Sequence, residues 1–262
     1  MSKGSFFKSL HHKKGSLYRI ALPAFVTVGT VFLFITGQVI GILFFSIVLG
    51  LIGYSPEEIS ELFNKNDLVK FFASFSVSFV MVGLLVWLLP YVNIPVLSYL
   101  KLDKKPDKKL FKSVLSAYGL YLVSFIVIAT IGSQLVPSLD VDQKQQLSFS
   151  PETVGGTGLL IVFITLVVLP PVTEEILFRG FLYNTLKKVT VKRVAIVVTS
   201  VLFSAAHLEF LGDNPLNFIA AIDTFVLSLF IIWVYEKTNN LWAPILLHAL
   251  KNLIAFVVLF VI

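Results

Sequence analysis

Seven apolar runs alternate with short polar stretches along the chain, at about residues 20–52, 70–90, 113–136, 157–186, 194–211, 216–235 and 241–262. About 20 residues of helix cross the roughly 30 Å of bilayer hydrocarbon, so each run predicts one transmembrane helix. The first run is too short for two spans and a turn, and it predicts a single tilted helix. The 54–69 and 137–156 segments are the sizeable loops, and the first of them has room for a short interfacial helix. No internal repeat or low-complexity linker interrupts the pattern. The predicted fold is all-α: a polytopic helical membrane protein of about seven transmembrane helices, with any active site inside the helix bundle. The chain divides into a basic tail (1–19), transmembrane helices and loops without a recognisable motif (20–156), and a third part (157–262) that carries the chemistry.

Composition sharpens this picture. Hydrophobic residues make up 56% of the 262 positions and charged residues 14%. Soluble domains carry roughly 25% charged residues, so a water-soluble globule and a disordered chain are both excluded. There is no cysteine, which removes disulfides, Cys-type zinc sites and thiol nucleophiles. The net charge of +6 reads as membrane topology, not as a nucleic-acid footprint. The tail, the 101–112 loop, the 187–193 loop and Lys237, with Asp103, Asp107 and Glu236, sum to +13. The alternate segments, from Glu57 to Asp213, sum to −6. Lysine and arginine stay cytoplasmic, so the expected arrangement is N-terminus inside, seven spans and C-terminus outside. The apolar run after the tail is too long for a signal-peptide core and reads as an uncleaved anchor. With no other targeting signal, the expected location is a bacterial plasma membrane.

Five charged residues remain inside the apolar runs: Glu174, Glu175, Arg179, Asp223 and Lys251. Two of the four histidines, His207 and His248, are there too, whereas His11 and His12 sit in the tail. An ionisable group in hydrocarbon costs at least about 2.5–3.5 kcal/mol, so it is retained by pairing or by chemistry. Pro170 and Pro171 free backbone carbonyls and kink the fourth span just before the glutamates. Glu175 and Arg179, four apart, share a helix face and can pair. Glu174 points about 100° away with no basic partner on its own helix. An unpaired, desolvated carboxylate suits a general base, while the bland alternative is a salt-bridge cluster between helices. Phe203 and His207 are four apart, as are His248 and Asn252; alone, each His could be interhelical polar glue. Together they say more. Glu174 and His207 are equally far from the 187–193 turn, so a helical hairpin sets them level. Asp223 and Lys251 fall about 4.5 Å apart in depth and predict an ion pair between the last two spans, unless Lys251 tunes the site beside Asn252. A Glu, two His and an Asn in a low-dielectric cavity can activate water and stabilise an oxyanion. Glu174, His207 and His248 could equally hold zinc.

These residues resemble the CPBP family of intramembrane proteases (CAAX proteases and bacteriocin-processing enzymes, also called the Abi family). The family pattern is E-E-x-x-x-R, F-x-x-x-H and H-x-x-x-N/D. Here it reads Glu174-Glu175 with Arg179, Phe203 with His207, and His248 with Asn252, complete and in order on three spans. Phe178 to Tyr183 and Asn240 to Ile245 also look like the family, and the likeness covers about residues 157–254. The resemblance implies an endopeptidase that cuts membrane-associated proteins or peptides, of CAAX type or in bacteriocin and peptide-precursor processing. It implies that Glu174 activates water with His207, that His248 and Asn252 form the oxyanion hole, and that Glu175, Arg179 and Phe203 support them. The family was long classed as metalloproteases. A metal-free mechanism is the reading favoured here, with no cofactor, and zinc is the alternative.

Other signals carry less. H-E-x-x-H is absent. His207-Leu208-Glu209 lacks the cysteine half of a deaminase site. Gly155-Gly156-Thr157-Gly158 follows no predicted strand and reads as a loop before a helix. Two other function classes stay open: a non-proteolytic membrane scaffold or bacteriocin-immunity protein of the same fold, and a proton-coupled transporter using the buried acids as a relay. The expected partners are a membrane-associated substrate and the lipid bilayer, with no nucleic acid; the sequence does not set the oligomeric state.

Overall fold

The computed structural model describes residues 16–91, 95–143, 148–151, 154–208 and 216–262. Most of the basic tail, including His11 and His12, lies outside the described residues, as do Lys144, Glu152, Glu209 and Asp213. The described residues form helices and no strand. They are α1 (Ser16–Leu51), α2 (Pro56–Lys65), α3 (Asp67–Tyr91), α4 (Val96–Leu100) and α5 (Lys108–Leu135). There follow α6 (Thr157–Val189), α7 (Lys192–Ala205), α8 (Phe218–Thr238) and α9 (Trp242–Phe260).

The first apolar run is one helix of 36 residues, as its length requires. The short helix expected after it is α2. Ser55 caps it in a capping box with Glu58, Pro56 opens it, and Glu61 pairs with Lys65 four residues on. α1 and α3 then cross closely because Gly37 and Gly41 remove side chains from the contact. A Cβ on Gly41 would stand 2.5 Å from the Val77 Cα, and Ser76 Oγ donates to the Gly41 carbonyl at 2.9 Å. Small residues let backbones approach in a membrane, where no hydrophobic force drives helices together.

Six helices, not seven, are long and apolar enough to cross a membrane among the described residues: α1, α3, α5, α6, α8 and α9. The fifth run is the difference. It yields α7, a helix of 14 residues, or about 21 Å. Contacts from Lys192 to Glu236, Ser200 to Ser228 and Ser204 to Ala221 set α7 antiparallel to α8 in a single register. α7 therefore runs beside most of α8 and stops before the α8 start at Phe218.

The same contacts gather the loops by charge. Lys101 donates to Asn239, Asn240 to the Lys104 carbonyl, and Lys187 and Lys192 both pair with Glu236. The three basic loops thus meet at one end of the bundle. Lys70 lies over the Phe149 ring at 5.3 Å, which brings the 54–69 and 137–156 segments together at the other end.

Asp223 and Lys251 pair at 3.3 Å between α8 and α9, as their depths predict. Tyr121 of α5 also donates its hydroxyl to Asp223, so three helices share one carboxylate. Asp223→Ala strands the Lys251 ammonium, and the thermal unfolding midpoint in detergent should fall. The exchange Asp223→Lys with Lys251→Asp should recover part of that loss. No recovery would mean that the charge pair is not what holds these helices.

Candidate active site

α6 carries the first motif, and its backbone is unusual on either side of it. Two π-helical stretches, Ile164–Val168 and Ile176–Tyr183, flank the α-helical turn Leu169–Glu175. π-bulges occur frequently at functional sites. The prolines account for the first stretch. An α-helix would bond the Leu166 carbonyl to the N–H of residue 170, and a π-helix to that of residue 171. Both are proline, which has no N–H. The Leu166 carbonyl is therefore orphaned in either register. Asn252 of α9 satisfies it, donating from Nδ2 at 2.9 Å. The polar residue at the end of the third motif thereby fixes α9 to the glutamate-bearing turn.

Glu175 and Arg179 pair at 2.9 Å with both side chains 0% exposed. The guanidinium also donates to Ser228 Oγ at 2.7 Å, and Ser228 in turn donates to Ser200 at 3.0 Å. His248 Nδ1 donates to the same Glu175 oxygen at 2.9 Å. One buried network thus runs from α7 through α8 and α6 to α9. Sequence reading had paired Glu175 with Arg179 alone; Ser200 and Ser228 carried no sequence signal beyond the several acceptors an arginine fork requires.

Glu174 is different. Its Oε2 atom is buried and has no hydrogen-bond partner among the described residues. Its carboxylate lies within electrostatic reach of His207 and of Arg179. The pattern left one glutamate locally paired and the other unpaired; Glu175 is paired through Oε1, while its Oε2, like that of Glu174, is buried without a partner among the described residues.

His207 lies just past the end of α7, in the turn that closes it, not within a transmembrane helix. The reason is local. At a helix C-terminus the last carbonyls lose their partners. The His207 N–H goes to Ser204, so the Phe203 carbonyl is open, and His207 Nδ1–H donates to it at 2.8 Å. Four-residue spacing is what lets the imidazole fold back onto that carbonyl. The bond fixes the tautomer: with Nδ1 protonated, Nε2 of the neutral ring carries the lone pair.

Phe203 joins the parts. Its buried ring meets Phe178 at 5.2 Å, His207 at 5.0 Å and His248 at 5.7 Å, and the Arg179 guanidinium lies 4.2 Å above it. Such a desolvated cation–π contact is worth about 2 kcal/mol. The aromatic residue thus spaces both histidines from the arginine.

Glu174, His207 and His248 do not form a metal-holding group; among the described residues no three His, Cys, Asp or Glu side chains do. His248 uses Nδ1 on Glu175.

Comparison with known proteins agrees with the part of the chain that carries this site. Residues 156–254 match the family described as type II CAAX prenyl endopeptidase Rce1-like. The UPF0177 protein YxdF of Lactococcus lactis subsp. lactis is 29% identical over 133 residues, which is 51% of this chain. The chain spans 65% of that relative's length. No solved structure matches. The protein is an all-α, multi-pass membrane protein, and its segment 156–254, with all three motifs, is similar to the type II CAAX prenyl endopeptidase Rce1-like proteins.

Proposed function

We propose that this protein is an intramembrane endopeptidase in which Glu174 activates water to hydrolyse a peptide bond of a membrane-associated protein or peptide. The observation that carries the reading is the contrast between the two glutamates. Glu175 is held through one oxygen by Arg179 and His248, whereas Glu174 has neither such pairing among the described residues and lies within electrostatic reach of His207. Glu174 takes a proton from water as the water oxygen bonds to the scissile carbonyl carbon. The His207 Nε2 lone pair accepts the water's other hydrogen and orients it. His248 and the second amide N–H of Asn252 donate to the developing oxyanion. With Nδ1–H already given to Glu175, the donation from His248 comes from Nε2. The C–N bond then breaks, and Glu174 returns its proton to the leaving amine nitrogen. The convergence of the basic loops supports placing that end in the cytoplasm, with the described C-terminus on the opposite side.

Glu174→Gln keeps the shape and removes the base. Membranes carrying it should accumulate an uncleaved protein that wild-type membranes process, with cleavage reduced roughly 10²–10⁴-fold. Wild-type cleavage should persist after exhaustive chelation. Undiminished processing by Glu174→Gln would overturn the proposal, and chelation loss restored by zinc would overturn its mechanism.

A further inference from the structure

The Asp223–Lys251 pair joins α8 to α9, but its level in the bundle gives it a second use. Ser204 bonds to Ala221 and Ser228 to Ser200, and these two contacts bracket Asp223 on α8. The same stretch of α7 carries Phe203, onto which the His207 ring folds back. The ion pair is therefore level with the imidazole, and Lys251 lies within electrostatic reach of it. On α9, Lys251 directly precedes Asn252 and follows His248 by three residues.

Arg179 and Lys251 are cations of different kinds. The Arg179 side chain is 0% exposed and is committed to Glu175, Ser228 and the Phe203 ring. The Lys251 side chain is 23% exposed and its partner Asp223 16%, and they stand 3.3 Å apart, against 2.9 Å for Arg179 and Glu175. A charge at this depth faces the bundle interior or a wet cavity, not lipid. Lysine has a flexible four-carbon stem and three donors, so one ammonium can hold two acceptors. Tyr121 also donates to Asp223, which keeps that carboxylate partnered while the ammonium serves a second group.

The depth selects that group. Asp223 lies about 20 Å along α8 from Glu236 at the basic end, too far in for a phospholipid head group. An anion reaching this level is carried by the peptide, and in a peptide it is a carboxylate. Such a group is costly in hydrocarbon unless it is paired.

We propose that Lys251 is a specificity-determining residue that binds a carboxylate of the peptide substrate close to the scissile bond, with Asp223 and Tyr121 holding the ammonium in place. The proposal rests on the endopeptidase reading and adds a substrate class to it: peptides with a carboxylate, at the chain end or on a side chain, at a fixed short spacing from the cleaved bond.

The test maps peptide termini by mass spectrometry in membranes carrying the full-length wild-type protein or Glu174→Gln. Bonds cut only by the wild type should share that spacing. For one such substrate, two changes are made: the acidic side chain becomes its amide, or added residues move the α-carboxylate away. One of them should raise KM roughly tenfold or more with kcat nearly kept, and which one it is assigns the carboxylate. Asp223→Asn with Lys251→Gln removes both charges and strands neither. This variant should cleave the native and the neutralised substrate equally, whereas Lys251→Arg, which keeps the charge, should retain the preference. If neither substrate change slows the wild type, the proposal is overturned, whether or not the variants fold. An unchanged preference in the doubly neutral variant would overturn it too, leaving the pair a structural strut. Processing that persists with Glu174→Gln would remove the endopeptidase reading and this proposal together, a result distinct from the loss of carboxylate preference alone.

Discussion

Glu175→Ala should give little folded protein. The substitution leaves the Arg179 guanidinium fully buried, with Ser228 as its remaining polar partner, and removes the acceptor of His248 Nδ1. Breaking a buried pair from one side typically costs about 3–5 kcal/mol, because the remaining charge has no compensation. That is a large fraction of the 5–15 kcal/mol that holds a typical domain folded. The expected result is aggregation on size exclusion in detergent, or a midpoint lowered by many degrees. Adding Arg179→Met removes the stranded charge with a side chain of similar length. Stability should then recover in large part. Cleavage should not, because His248 still lacks its partner. A Glu175→Ala protein as stable as wild type would mean that the network carries no weight in folding.

Asn252→Ala is the second large effect. It strips the side chain that, among the described residues, satisfies the Leu166 carbonyl. An unsatisfied polar group costs several kcal/mol where no water replaces the bond. The midpoint should fall, and α9 should loosen from the glutamate turn, taking His248 with it. The reversal is specific. Pro170→Ala supplies an N–H four residues after Leu166, and Asn252→Ala with Pro170→Ala should regain stability. Any cleavage deficit that remains in the rescued protein measures the oxyanion donation lost with the amide. Failure of Pro170→Ala to restore the midpoint would sink the account of Asn252 as a clamp. The two substitutions must be made together, since neighbouring effects of this kind do not add.

Much of this arrangement was legible in the sequence because hydrocarbon tolerates so few polar residues. The pairs Glu175–Arg179 and Asp223–Lys251 followed from spacing and depth, and both are present. That Glu174 and His207 share a level was expected from their symmetry about one turn, and the carboxylate lies within electrostatic reach of the imidazole. The short helix α2 followed from the length of the 54–69 segment, and the structure starts it at the cap formed by Ser55, Pro56 and Glu58. What escaped had physical causes. An apolar run does not declare where its helix stops, so residues 194–211 looked like a span although α7 ends at Ala205. Ser200 and Ser228 are too weakly polar to stand out in such a sequence, yet they complete the arginine network. His248 could have faced either glutamate, and only the packing of α9 on α6 selected Glu175. The clamp on Leu166 was computable from the adjacent prolines, but its donor was not, because that depends on which helix lies alongside.

The early end of α7 has a consequence for supply. Hydrolysis consumes one water per bond cut, and hydrocarbon holds almost none. A continuous helix past His207 would have sealed that level with apolar side chains. Instead the hydrogen-bond ladder stops there, and non-helical backbone at membrane depth is tolerated only when buried in protein or lining a wet cavity. In the proposed reaction, the break that lets His207 fold back onto Phe203 is therefore where water would be drawn in. A single shortened helix in this way couples the orientation of the imidazole to the delivery of the reagent it would orient.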